Sequence, residues 1–170
     1  MTVLRITGGL LITAAGLLSG IYAGSVKKRQ REFMRQYIVF LTRAETMISY
    51  SNSSIIYILD NSEAPNLMKE LLKSMRLRLA ENMSLSEAWA ELIDEACEKK
   101  LIVKKDKELM KLFAEDFGTS GANEEEGKLR LNISLAQERL SELNSETAES
   151  TKLYRVIGAF AGALTAVMII

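Results

Sequence analysis

Apolar residues fill the two ends of the chain without a charged residue among them. The N-terminal run covers residues 6–24 and the C-terminal run covers residues 156–170. A helix rises 1.5 Å per residue, so the first run reaches about 28 Å, close to the roughly 30 Å hydrocarbon core of a bilayer, and the second reaches about 22 Å. The pattern therefore predicts an N-terminal transmembrane helix at 3–24 and a shorter C-terminal one at 154–170.

Basic residues lie beside both apolar runs, on the side that faces the middle of the chain. Dense basic flanks resist translocation and stay in the cytoplasm, so both ends predict the same orientation, with residues 26–151 forming a cytoplasmic helical domain between two spans. Two alternative interpretations stay open: a secretory signal cleaved near Gly24, and a buried core helix at the C-terminus. The residues that carry the topology prediction are Lys27, Lys28, Arg29, Arg31, Lys152 and Arg155.

Glycines recur every four positions in both apolar runs. In lipid, such spacing lets two helix backbones approach closely, and packing of this kind drives association where no hydrophobic effect exists. The spacing predicts transmembrane packing, either of the two faces on each other or of each on a neighbouring subunit. The glycines concerned are Gly16, Gly20 and Gly24 in the first run, and Gly158 and Gly162 in the second.

Between the two runs, apolar residues recur at steps of three and four, as on amphipathic helices. The chain has a single proline, Pro65, and few glycines lie in this middle part, so little interrupts helix formation. Ser84 and Glu87 form a capping-box signature before the clearest helix, and Gly118 is placed to end the next one. The predicted fold is all-α: a helical bundle of about five to six helices between two terminal transmembrane helices.

The apolar stripes also predict which side chains face the core of this bundle. The last stripe alternates steps of three and four, like the seam of a coiled coil. The first two stripes are Met34, Tyr37, Ile38, Leu41, Ala44 and Ile48, then Leu67, Leu71, Leu72 and Met75. The later ones are Leu85, Ala88, Trp89, Leu92, Ile93 and Ala96, then Leu109, Leu112, Phe113 and Phe117, and finally Leu129, Ile133, Ala136, Leu140 and Leu143.

Composition and charge argue against an enzyme. The 22 basic residues balance the 22 acidic ones, so no overall field attracts nucleic acid. Histidine is absent, which removes the commonest general base and most catalytic metal sites, and the only cysteine, Cys97, cannot form an internal disulfide. No strand pattern precedes a phosphate-binding glycine loop. We expect a non-enzymatic protein with no cofactor, no metal and no nucleic-acid partner.

Several short strings, in order along the whole chain, resemble the stage III sporulation protein AB family of endospore-forming bacteria. They are a glycine-rich first span, a basic helix, "RAETMISYSNSS", "LFAEDFG" and "KLYRVIGAFAGA". This chain departs from the family pattern in having Met47, Ser54 and Gly121 where an acidic residue, a proline and an aspartate are usual. The resemblance places candidate partner contacts at Glu45, Tyr50, Phe113 and Gly118.

The resemblance implies a component of the mother-cell membrane that faces the forespore, with its central domain in the cytoplasm. Its domain would be similar to the helical domains of type II secretion F proteins, the membrane platform of a secretion-like complex. The implied partners are a secretion-type ATPase similar to stage III sporulation protein AA, other membrane subunits of the sporulation channel, and membrane lipid. The alternative is a membrane-anchored or secreted helical regulatory protein.

Overall fold

Every element that the structure describes is helical. The computed structural model describes the backbone of residues 2–51, 57–59, 66–114 and 122–169, and in the terminal helices it describes side chains at 7–8, 18, 21–50, 124–146 and 157. A single turn of 3₁₀-helix, Leu112–Ala114, follows the fourth helix, and residues 57–59 are also helical. The long elements are α1 (Thr2–Ser51), α2 (Asn66–Ala80), α3 (Leu85–Glu98), α4 (Lys104–Lys111) and α5 (Ala122–Ile169).

The chain divides into two compact units. The terminal unit combines Met1–Lys28 with Glu142–Ile170, and the central unit is Arg29–Ser141. The central unit therefore contains α2, α3 and α4 together with the inner portions of α1 and α5. It confirms the all-helical bundle that the periodicity predicts.

The terminal unit carries large apolar side chains that face solvent. Leu18, Ile21 and Tyr22 are 60–69% exposed and lie three and four residues apart, on one face of α1. A Cβ built on Gly24 has no neighbour within 4 Å among the described atoms. Within the described part of the chain, no helix meets the length and hydropathy that a membrane span requires. The two predicted spans remain predictions, and most of their side chains lie outside the described residues.

An aromatic cluster forms the centre of the central unit. Trp89 of α3 is fully buried, and its ring centroid lies 4.8 Å from that of Phe113 and 6.2 and 6.3 Å from those of Tyr37 and Phe40. Its indole Nε1 donates a hydrogen bond to the carbonyl of Met110 at 2.6 Å, so the polar edge of the ring is satisfied. The cluster joins α1, α3 and the end of α4 in one core.

Helices α2 and α3 begin at side-chain caps. Ser84 and Glu87 form the predicted capping box: each side chain accepts the other residue's backbone N–H at 3.3 Å. Helix α2 is capped from another helix, because Oε1 of Gln36 in α1 accepts the N–H groups of Leu67 and Met68 at 3.0 and 3.2 Å. These contacts satisfy the N–H groups of Glu87 in α3 and of Leu67 and Met68 in α2, which have no acceptor within their own helices.

On α1 and α3 the buried residues follow the predicted stripes except at Ile38 and Leu85, which are half-buried. Phe33 and Phe40 of α1 are buried in addition to the predicted residues. The stripes shift on the other helices. On α2, Met68 is buried where Leu67 was expected, and around the end of α4, Met110 and Phe113 are buried while Leu112 is 44% exposed. The 3₁₀ turn at Leu112–Ala114 explains the second change, since three residues per turn rotate these side chains relative to an α-helix.

The seam on α5 contains two polar residues that the apolar pattern does not predict. The buried positions are Leu129, Asn132, Ala136, Arg139 and Leu143, whereas Ile133 and Leu140 are half-buried. Asn132 and Arg139 occupy core positions because α1 and α4 supply them with buried polar partners. The hydroxyl of Tyr37 donates to Oδ1 of Asn132 at 3.3 Å, and burial raises the pKa of that tyrosine well above its ordinary range.

Truncating a side chain of the aromatic cluster should strongly destabilise the central unit. We expect Phe113→Ala to lower the free energy of unfolding by about 3–5 kcal/mol, because it leaves a cavity against Trp89 and Phe40. The neighbouring Leu112→Ala should change it by no more than about 0.5 kcal/mol, since Leu112 faces solvent. Urea denaturation followed by the fluorescence of Trp89, the single tryptophan, measures both. Equal losses in the two variants would contradict this core assignment.

Candidate functional surfaces at the two ends of the central unit

The distal end of the central unit, where α1 finishes and α5 begins, carries a charge triad with an exposed arginine and two half-buried carboxylates. Arg130 of α5 donates from Nε to Oε1 of Glu45 in α1 at 2.7 Å, and it also forms an ion pair with Glu126. The hydrogen bond to Glu45 is the main cause of a raised pKa at Arg130, followed by the charge of Glu126. The Arg130 side chain is 65% exposed, so the triad adds little stability and is accessible to a partner.

Tyr50 lies near the same end of α1 and has almost no packing role. It is 88% exposed, and five residues of helix, about 8 Å, separate it from Glu45. A tyrosine held in solvent on an ordered helix offers a rigid amphipathic side chain, a residue type that is enriched among the strongest contributors to protein interfaces.

The other two candidate contact residues fall elsewhere. Phe113 is 2% exposed and its ring packs edge-on against Phe40 with centroids 5.2 Å apart, so in this structure the ring serves the core. Gly118 lies outside the described residues. Of the four predicted contacts, Glu45 and Tyr50 are thus the two that share an accessible part of the central unit.

The opposite end, which we call the junction end, is where α1 enters the central unit and α5 leaves it. Nε2 of Gln30 in α1 donates to the backbone carbonyl of Lys100 at 3.3 Å, which ties the connection between α3 and α4 to this end. Lys100 has φ of 56°, a left-handed conformation that costs energy for a residue with a Cβ. The packing of Ile102, which is 2% exposed, anchors the same connection in the core.

A buried ion pair fixes the start of α4 against α5 at the junction end. Arg139 and Asp106 are 6% and 1% exposed, and Nε of the arginine lies 2.5 Å from Oδ1 of the carboxylate. The other carboxylate oxygen accepts the N–H of Val103 at 3.5 Å, so Asp106 also caps α4. The apolar pattern of the sequence reveals neither residue, although Arg139 falls on the three-and-four spacing of the α5 seam.

Ion pairs also link α3 to the helices on either side of it. Asp94 pairs with Lys107 at 2.7 Å and Lys111 at 3.2 Å, and the hydrogen bond from Lys107 is the main cause of its lowered pKa. Glu95 pairs with Arg78 of α2 and Lys99, and the hydrogen bond from Lys99 is the main cause of its lowered pKa. These contacts hold α2, α3 and α4 in register along their exposed edges.

The predicted topology and packing residues are only partly described. Lys28 and Arg29 are exposed, and Lys27 and Arg31 are half-buried. The remaining ones lie outside the residues with described side chains: Lys152, Arg155, Gly16, Gly20, Gly158 and Gly162. Among the described residues, no group of three or more cysteine, aspartate or glutamate side chains is arranged to hold a metal ion.

Removing one partner of the buried ion pair should lower the free energy of unfolding strongly. Removing both charges should lower it less. We expect Arg139→Met to lower the free energy of unfolding by about 3–5 kcal/mol, because it leaves the Asp106 carboxylate buried without its cation. Adding Asp106→Asn should recover part of that loss, since the amide oxygen still accepts from Val103. A urea-denaturation double-mutant cycle measures the coupling. Losses that simply add would contradict a direct interaction.

Comparison with known proteins gives one match over nearly the whole chain. The family model described as stage III sporulation protein AB matches residues 5–170. Neither a curated protein nor a solved structure matches the chain.

Proposed function

The chain belongs to the stage III sporulation protein AB family, a family of sporulation proteins, and we propose that it is a non-enzymatic membrane platform for a cytoplasmic ATPase. The terminal segments hold it in the mother-cell membrane, and the central unit faces the cytoplasm. This proposal assigns different tasks to the two ends of the central unit. The junction end leads to the membrane, and the distal end receives the partner.

The membrane part of the proposal is supported by the two uncharged runs and their basic flanks. The exposed face of Leu18, Ile21 and Tyr22 adds to this support, because large exposed apolar patches mark contacts with protein or lipid. Lipid would cover such a face without requiring a polar partner. Alternatively, other membrane subunits of the sporulation channel would contact the same face.

The partner part of the proposal is carried by one observation, the exposure of Tyr50. Burial in the core explains most of the aromatic side chains of the central unit, but it does not explain this one. About 30 Å of α1 separates Tyr50 from Gln30, so Tyr50 lies at the opposite end of the central unit from the junction end. The Glu45, Arg130 and Glu126 triad supplies charged groups for specificity at the same end.

Reporter fusions test the membrane part. A reporter that is active only in the cytoplasm should work when fused after Arg35, because this fusion keeps the basic flank from Lys27, which stays inside. The same reporter fused after Ile170 should be inactive, because a second span carries it across. N-terminal sequencing of the native protein provides a further check, since a start near Val26 would show a cleaved signal and refute the anchor.

Substitution of Tyr50 tests the partner part. The full chain in lipid nanodiscs should bind the secretion-type ATPase similar to stage III sporulation protein AA, and Tyr50→Ala should weaken binding by about tenfold or more, as expected for a central interface tyrosine. Leu77→Ala is the matched control, since Leu77 is 61% exposed but lies on α2. Surface-immobilised binding kinetics give both dissociation constants.

The binding results distinguish a wrong location of the ATPase contact from a wrong proposed function. Equal affinity for the parent chain and the Tyr50→Ala variant would place the ATPase contact away from the distal end. A folded full chain that binds no ATPase at tens of micromolar, on the order of the weakest useful affinity, would refute the platform proposal itself.

A further inference from the structure

One face of α1 and one face of α5 point away from the core of the central unit. All their residues are exposed except Val39, which is half-buried. Steps of four, three and four residues keep each set on one side of its helix. The α1 face consists of Arg35, Val39, Thr42 and Thr46, and the α5 face consists of Gly127, Leu131, Ser134 and Glu138.

Two contacts within the central unit fix the height of one face against the other. Glu45 of α1 pairs with Arg130 of α5, and the Tyr37 hydroxyl donates to Asn132. The midpoint between Tyr37 and Glu45 is therefore about level with the midpoint between Arg130 and Asn132. From there the helices run in opposite directions, because α1 reaches the distal end where α5 begins.

Counting residues from these midpoints matches the two faces along their whole length. Arg35 lies six residues towards the junction end on α1, and Glu138 lies seven residues towards it on α5, so their heights differ by about 1.5 Å. Because both faces have the same spacing of four, three and four residues, the other positions match equally well. These pairs are Val39 with Ser134, Thr42 with Leu131, and Thr46 with Gly127.

Arg35 and Glu138 have no partner of opposite charge among the described residues. Their side chains form no ion pair and no hydrogen bond there. Glu32, three residues before Arg35, accepts a hydrogen bond from Gln36 at 3.0 Å. Arg31, four residues before Arg35, adds a like charge, which disfavours the helix. Each face therefore ends in a charge that an opposite charge outside the chain would balance.

The rest of both faces suits close contact with another helix. The hydroxyls of Thr42, Thr46 and Ser134 donate to backbone carbonyls of their own helices at 2.7–2.9 Å, so covering them leaves no donor unpaired. A Cβ at Gly127 would meet nothing within 4 Å among the described atoms, and small side chains let helix axes come close. Leu131 is 60% exposed and adds apolar area to bury.

We propose that the α1 face of one copy of this chain packs against the α5 face of a second copy whose helices point the same way. Arg35 of one copy then meets Glu138 of the other, and Leu131 packs against the methyl group of Thr42. Charge complementarity selects this direction, because reversing one copy would place both charges against neutral residues.

The same charges disfavour a symmetric contact. Two α1 faces would place Arg35 against Arg35 or against Thr46, and neither arrangement supplies a carboxylate. A contact between two different faces is heterologous, so each copy keeps an unused face to which a further copy can add, and the series closes into a ring or continues as a filament. Tyr50 belongs to neither face, so this inference goes beyond the ATPase contact and does not depend on it.

Disulfide trapping between two separately purified full-length variants tests the contact. In a Cys97→Ser background, one chain carries Thr42→Cys and the other carries Leu131→Cys, both at exposed positions. The chains are mixed in mild detergent and oxidised with copper phenanthroline, and the covalent dimer is measured by non-reducing electrophoresis. The mixture should form the dimer and either variant alone should form little, since a disulfide needs Cα atoms within about 7 Å. Leu77→Cys, exposed on α2, replaces Leu131→Cys as the matched control and should form little dimer.

Charge reversal tests whether Arg35 and Glu138 meet. Arg35→Glu in the first chain, or Glu138→Arg in the second, should lower the yield of dimer about tenfold, since like charges then face each other. Both reversals in one mixture should restore the yield. Arg43→Glu in the first chain is the matched control and should leave the yield unchanged. Arg43 is exposed and lies seven residues from Gln36, on the side of α1 that faces α2.

Several outcomes would overturn the inference. Equal dimer from Thr42→Cys alone would show a symmetric contact, and equal dimer with Leu77→Cys would show random collision. A double reversal that restores nothing would show that Arg35 and Glu138 do not meet. No dimer in the mixture would assign the two faces to a different protein. Each variant should unfold at the same urea concentration as the parent chain, followed by Trp89 fluorescence, so a loss of dimer reports the contact and not the fold.

Discussion

Trp89 holds the central unit together because it contacts several elements at once. Its ring packs against Tyr37 and Phe40 of α1 and against Phe113 after α4, and its indole N–H bonds to the end of α4. Helix α4 has only eight residues, too few to be stable in isolation, so its position depends on this packing. The connection between α3 and α4 precedes that helix, and its geometry therefore depends on the same core.

Buried polar contacts decide how the helices align around that core. The Tyr37 hydroxyl meets Asn132, the Gln36 amide caps α2, and Arg139 meets Asp106. In another register of the helices, each of these polar groups would be buried without its hydrogen-bond partner. Its desolvation would then be uncompensated and would destabilise the fold. Apolar packing supplies most of the favourable free energy, whereas these contacts favour one alignment over its neighbours.

That alignment makes the two ends of the central unit chemically different. The junction end carries the connection between α3 and α4 and the points where α1 and α5 continue towards the apolar runs. The distal end carries Tyr50 and the charge triad, about 30 Å away along α1.

The sequence by itself determined the helices and most of the core, because three-and-four periodicity and local caps depend on neighbouring residues. The Ser84 and Glu87 capping box and the stripes of α1 and α3 are the clearest cases. It did not reveal that Leu112 faces solvent, since a 3₁₀ turn breaks the assumed period. Nor did it reveal that Arg139 and Asn132 lie in the core, that Gln36 caps another helix, or that the Lys100 carbonyl accepts a hydrogen bond from Gln30 of α1. Those contacts join residues that are 31 to 95 positions apart in the chain, and only the tertiary structure brings such residues together.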